Sequence, residues 1–244
     1  MVPGWMIRVL GPIDVATAEG VVTVGGPRPQ KLLGALVLAV RHSASTADLI
    51  VVLWGERPPE HAVNTVQSYV SRLRRLLGRE TIVNADGGYR LEVEVDGLDA
   101  LLFERLVRDA RAEGDPTKVR DVCRRALRLW RGPAFGDLSH EDPFRLEAIR
   151  LDELRILAME LQLEAELALG RSDLIVGELE AAVQENPYRE RLWYLLIEAL
   201  ARDGRRVEAL RVCTDLRRML GDVGLEGGEG LSRLEDRILI GNNL

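Results

Sequence analysis

Residues 60–78 read EHAVNTVQSYVSRLRRLLG. Val63, Val66, Val70, Leu73 and Leu77 recur at steps of three and four, which predicts one apolar stripe on a helix of about 18 residues. On the opposite face stand Thr65, Ser68, Arg72 and Arg75, flanked by Asn64, Gln67, Ser71 and Arg74, with no acidic residue between His61 and Arg79. Such a face suits a phosphate-lined groove, because guanidinium groups neutralise phosphates while amides and hydroxyls reach base edges. The stretch is therefore read as a DNA recognition helix. Its phase places Thr65, Ser68, Arg72 and Arg75 toward the major groove and Asn64, Gln67, Ser71 and Arg74 nearer the backbone. The alternative is a solvated surface face, since charge runs on helices are common, and the flanking sequence has to decide.

Upstream, Ile7 to Val15 and Val21 to Val24 are β-branched runs separated by Glu19-Gly20, the pattern of an antiparallel hairpin. Gln30 to Val40 has the apolar density of a core helix. Arg28 and Lys31 near its start oppose the helix dipole, a cost that a nearby phosphate would relieve. Ser45 and Asp48 are spaced as a capping box with Asp in place of Glu, ahead of a short apolar helix that Gly55 would end. Pro58-Pro59 can open the next helix, because proline is tolerated in a first turn. Two helices across a tight connection make a helix-turn-helix with a somewhat long turn. Thr81 to Val83 and Tyr89 to Val95 then read as strands around residues 84–88, forming a wing. Arg90 is placed on the DNA backbone, and Tyr89 in the core.

From Leu98 onward the periodicity is helical, and an internal repeat emerges. Glu164-Ala165 and Gly170-Arg171 recur as Glu198-Ala199 and Gly204-Arg205, an offset of 34 residues, which is the tetratricopeptide period. Leu98 to Trp130 is read as an earlier, divergent helix pair. The expected fold is mainly α: a winged helix-turn-helix over residues 1–97, then an all-α tetratricopeptide-like domain over residues 98–244. Charge follows the same division. The chain carries a net charge of −6, yet ten basic and ten acidic residues balance up to Gly97, so the whole excess lies beyond it. A neutral segment with one clustered basic helix, joined to an acidic segment, fits a DNA reader carrying a protein-binding module.

Other function classes find little support. Cys123 and Cys213 are far apart in helical patterns, as buried free thiols would be. His42, His61 and His140 are scattered without metal-ligand spacing, and Ser139-His140-Glu141-Asp142 are too close in sequence to meet as a catalytic group. No catalytic residue, metal or cofactor is expected. No stretch approaches the roughly 18 apolar residues of a membrane span, so a cytoplasmic protein without a membrane partner is expected.

GGPRPQKLLGALVL, ADLIVVLWG, NTVQSYVSRLRRLLG and the GGYRL hairpin together resemble the winged helix of the Streptomyces antibiotic regulatory proteins, which is itself related to response-regulator DNA-binding domains. The resemblance continues through LRLWRGPAFGDL, DPFRLEAIRLDELR and GRRVEALRVCTDLRRML, and covers nearly the whole chain. It implies that the second part is a bacterial transcriptional activation domain. It also implies binding to promoter direct repeats, as a homodimer at least on DNA, and recruitment of RNA polymerase holoenzyme to a secondary-metabolite (antibiotic) gene cluster. The chain departs from the family pattern at the apolar Ile50-Val51-Val52, and at Leu225 to Gly230, where a looser final connection is expected. A stand-alone regulator is the simpler expectation. The reading from a different class is a helical-repeat adaptor whose winged helix is vestigial.

Overall fold

In the computed structural model, which describes residues 4–225 and 228–240, the first β-branched run is cut in two. β1 (Trp5–Arg8) and β2 (Asp14–Thr17) pair antiparallel with Ile7 opposite Val15, and β3 (Gly20–Val22) joins β2 with Val21 opposite Ala16. The single hairpin expected there is thus a three-stranded meander. Gly11-Pro12 explains the break. Pro12 has no N–H to give a ladder, and the N–H groups of Val9 and Leu10 turn away to the carboxylate of Asp99, at 2.8 and 3.0 Å.

α1 (Pro27–Leu38) begins earlier than Gln30, because prolines at its entry need no N–H partner, and it buries Leu32, Leu33, Leu36 and Val37. β4 (Ala44–Ser45) leads into α2 (Thr46–Trp54), where the Ser45 hydroxyl oxygen accepts the Asp48 N–H at 3.1 Å and caps the helix. α3 (Ala62–Leu77) begins after the prolines and not at them, so residues 55–61 form the turn of the helix-turn-helix. β5 (Ile82–Ala85) and β6 (Gly88–Leu91) make the wing around Asp86-Gly87, both at positive φ (47° and 74°), a tight hairpin turn. The turn is shorter than the expected 84–88, and β6 stops at Leu91 short of Val95. β4 supplies a third strand that sequence reading missed, giving the order β4-β6-β5.

The helices that follow are α4 (Asp99–Ala112), α5 (Pro116–Leu127), α6 (Phe144–Ala168), α7 (Ser172–Glu185), α8 (Glu190–Arg202), α9 (Arg206–Asp222) and α10 (Glu229–Ile240). Two compact units result. The first holds the residues through Arg108 together with Arg125–Ile156, and the second holds Asp109–Arg124 together with the residues from Leu157. The first unit therefore continues past Gly97.

The physical reason lies in the stretch Val9 to Pro12. Besides the two bonds to the buried Asp99, the Leu10 carbonyl accepts the Arg131 N–H at 2.8 Å and the Val9 carbonyl accepts the Phe135 N–H at 2.6 Å. The Arg131 guanidinium reaches the Pro12 carbonyl at 3.2 Å and Asp14 at 3.0 Å. At Gly136 (φ 56°) a β-carbon would stand 3.0 Å from Pro12 Cα, so this approach requires glycine. The motif LWRGPAFGDL is thus a brace for the N-terminal sheet. Burial pushes the Asp99 carboxyl up to about 6, against the two backbone N–H groups and Arg131, which favour its ionised form.

In the second unit the 34-residue offset is visible as geometry. Gly170 (φ 73°) and Gly204 (φ 79°) make the same turn. The Gly170 N–H meets the Leu167 carbonyl and the Gly204 N–H that of Ala201, while Arg171 and Arg205 bond back to Glu166 and Leu200. α7 and α9 follow these turns as equivalent helices. Their apolar faces share one core that includes Leu163, Ile175, Leu179, Leu192, Leu196, Ala209, Cys213 and Leu216, as stacked helix pairs must. Asn186 caps α7 at its C-terminus, ahead of Pro187. The looser connection expected between Leu225 and Gly230 includes Glu226 and Gly227, which lie outside the described residues. Among the described residues, no helix is long and apolar enough to cross a membrane.

Candidate nucleic-acid interface

α3 is held by a stripe of Ala62, Val66, Val70, Leu73 and Leu77, all buried. Val63, expected in that stripe, is 48% exposed. The first turn points Ala62 and not Val63 at the core. Gly78 stops the helix, and the Thr81 hydroxyl donates to the Leu77 carbonyl at 2.8 Å, satisfying one of its open C-terminal groups.

The opposite face is exposed at Asn64, Gln67, Ser68, Ser71, Arg72 and Arg75. Thr65 is half-buried, and its hydroxyl donates to the His61 carbonyl at 3.0 Å. The centre of the open face therefore runs along Asn64, Ser68, Ser71 and Arg75, at helical steps of four and three. Two concavities flank Arg75. One is lined by Ser71, Arg74, Arg75 and Arg79, the other by Ser68, Tyr69, Arg72, Arg75 and Leu76.

The arginines differ in what they touch. Arg74 Nε donates to the Ile82 carbonyl at 2.7 Å, a terminal nitrogen donates to Asn84 Oδ1 at 2.9 Å, and the guanidinium carbon lies 5.8 Å from the Tyr89 ring centre. Arg72 lies beside Gly25, where a β-carbon would stand 3.2 Å from its guanidinium carbon. Among the described residues, Arg72, Arg75 and Arg79 form no ion pair and no side-chain hydrogen bond. Two such cations on a helix without a carboxylate, with a third just beyond its end, concentrate positive potential on one face.

The remaining expected residues lie at the margins. Arg90 is half-exposed and donates to Glu92 at 2.7 Å. Arg28 is exposed in the first turn of α1, 5.9 Å from the Trp54 ring centre, a cation–π distance. Lys31 is committed to Glu141, at 2.6 Å. Arg79, Tyr69 and Gly25 were absent from the expected set. Arg79 was legible as one more arginine after the helix, whereas the placement of Gly25 beside Arg72 had no local signal.

Residues 23–91 match the family described as "Transcriptional regulatory protein, C terminal", and residues 98–239 match "Bacterial transcriptional activator domain". The chain is 37% identical to the regulatory protein AfsR of Streptomyces griseus, over 95% of this chain and 24% of AfsR. It is 33% identical to the regulatory protein DnrI of Streptomyces peucetius, over 96% of this chain and 91% of DnrI. The chain thus spans about a quarter of the length of AfsR but most of DnrI. A solved structure of Mycobacterium tuberculosis EmbR, in complex with a low-affinity phosphopeptide, matches with a TM-score of 0.88 at 34% identity. That match covers 99% of this chain and 66% of the EmbR chain.

Proposed function

Because this chain belongs to the Streptomyces antibiotic regulatory protein family of transcriptional activators, we propose that it reads promoter DNA through α3 and activates transcription from the bound site. One observation carries the reading: the acid-free face of α3, on which Arg72 and Arg75, with Arg79 just beyond, have no side-chain partner among the described residues. Arg75, Ser68 and Asn64 enter the major groove in this reading. Arg72 and Thr65 stand toward the α1 edge, and Gln67 and Ser71 toward the wing edge. Arg79, Arg90 and Arg28 meet the sugar-phosphate backbone, whereas Lys31 reaches it only by giving up Glu141.

Residues 1–97 act as the DNA reader and residues 98–244 as the activation segment, even though the packing braces them across Gly97. The operator is a pair of direct repeats bound by two protomers, and the activation segment recruits RNA polymerase holoenzyme to a secondary-metabolite gene cluster. The protein works in the cytoplasm, without catalytic chemistry of its own.

The test is binding to promoter fragments from around its own gene, with excess competitor DNA at near-physiological salt. A complex on one promoter that survives competition and disappears with Arg72→Ala plus Arg75→Ala supports the reading and yields the operator. A folded protein that prefers no fragment overturns it in favour of the adaptor.

A further inference from the structure

We propose that Arg74 is a positioning residue, which fixes the wing against the recognition helix and does not itself bind phosphate. Its contacts run to three points of one hairpin. Ile82 and Asn84 lie on β5, and Tyr89 on β6 stands opposite Asn84 in the register. One planar guanidinium, emerging from the last turn of α3, therefore holds both strands of the wing at once. Lysine could not reproduce this, because its single ammonium lacks the fork of in-plane donors.

The contrast with its neighbours sharpens the assignment. Among the described residues, Arg72 and Arg75 give no side-chain N–H to a partner, while Arg74 spends its Nε and one terminal nitrogen on a backbone carbonyl and an amide of its own chain. Asn84, whose side-chain oxygen accepts one arm, becomes part of the same device. Through it, the angle of the wing sets where Arg90 and the Asp86-Gly87 tip lie relative to the groove that α3 enters. The inference rests on the DNA-reading proposal for its functional half, but its structural half can be measured without DNA.

The experiment compares the intact chain with Arg74→Lys, Arg74→Ala and Asn84→Ala. Hydrogen exchange of the wing amides is read on the free protein, and promoter affinity is read alongside it, with the α7–α9 amides as a check on global folding. Positioning predicts that wing exchange rises by roughly a factor of ten or more in all three variants, and that affinity falls about tenfold in each, the size of one weakened protein–DNA contact. Asn84→Ala keeps the Arg74 cation in place, so a loss there that comes with faster wing exchange cannot be a missing Arg74–phosphate contact. Unchanged wing exchange, with affinity retained by Arg74→Lys and by Asn84→Ala, overturns the role and makes Arg74 a phosphate contact. If the wild type prefers no promoter while the variants still loosen the wing, it is the DNA reading that fails.

Discussion

In and beside α8, α9 and α10, five arginines face carboxylates. Arg202 meets Glu198 at 2.5 Å, Arg205 meets Glu208 at 2.7 Å, Arg217 meets Glu235 at 2.6 Å, and Arg218 and Arg233 pair with Asp215 and Glu229. In α3 the same residue type has no acid within the helix, and Arg72 and Arg75 pair with nothing among the described residues. The difference teaches how to read charge in a chain whose net charge is negative. An arginine answered by a carboxylate one turn away contributes to solvation and a little to helix stability. An arginine on an acid-free face leaves a potential that only an outside anion can balance. The bulk charge of −6 hides this, because it averages two kinds of surface.

The largest expected effect would break the comparison if it went the wrong way. Arg72→Ala plus Arg75→Ala should cost promoter affinity at least the roughly 1 to 3 kcal/mol of the base-reading Arg75 and leave the unfolding midpoint unchanged, since neither side chain forms an ion pair or hydrogen bond among the described residues. Competition binding beside thermal unfolding checks both halves. A fall in stability without a fall in affinity would mean that these arginines are structural after all.

Next in size is Asp99, the opposite extreme of charge inside the protein. Asp99→Ala leaves the Val9 and Leu10 N–H groups buried without an acceptor, at about 1 to 3 kcal/mol each, which denaturant unfolding should register. The same residue sets a pH dependence of definite sign. Its folded pKa, raised by burial from 3.8 to about 6, means that folding takes up a proton between those values. Its contribution to stability therefore rises as pH falls from about 7 toward 4 and declines as pH rises through 6. The difference in unfolding free energy between the wild type and Asp99→Asn, followed across that range, isolates this carboxyl from the surface acids. A difference that does not vary with pH would contradict the burial argument.

Smaller effects complete the series. Arg79→Ala should reduce the steepness of log affinity against log salt by about 0.9 if that residue neutralises one phosphate, whereas Arg191→Ala should leave the slope alone. Arg191 pairs with Glu164 at the surface, so its removal should change stability by no more than about 1 kcal/mol.

How much of this was legible depends on the range over which each feature is determined. The stripe of Val66, Val70, Leu73 and Leu77 follows from helical spacing alone, and so does the open face opposite it. Val63 lies at the edge of that stripe, where spacing alone does not decide burial. The turns at Gly170 and Gly204 were legible because each is made within a few residues and repeated. The break at Gly11 was not, because the group that draws the Val9 and Leu10 N–H away from a strand lies at Asp99, far along the chain. The hold of Arg74 on Ile82 and Asn84 was hidden for a related reason: spacing gives a side chain's direction from its helix but not what folds back to meet it.

The brace on Val9 to Pro12 has a consequence in time. The Val9 N–H waits for a carboxylate 90 residues downstream, and the Pro12 carbonyl for a guanidinium 119 residues downstream. At a synthesis rate of about 5 to 20 residues per second, the later partner emerges roughly 6 to 24 seconds after the strand that needs it. A nascent chain released at Gly97 would contain every residue of the winged helix and still lack both partners. On the ribosome, the N-terminal sheet reaches its final form only after the start of the second segment has been translated.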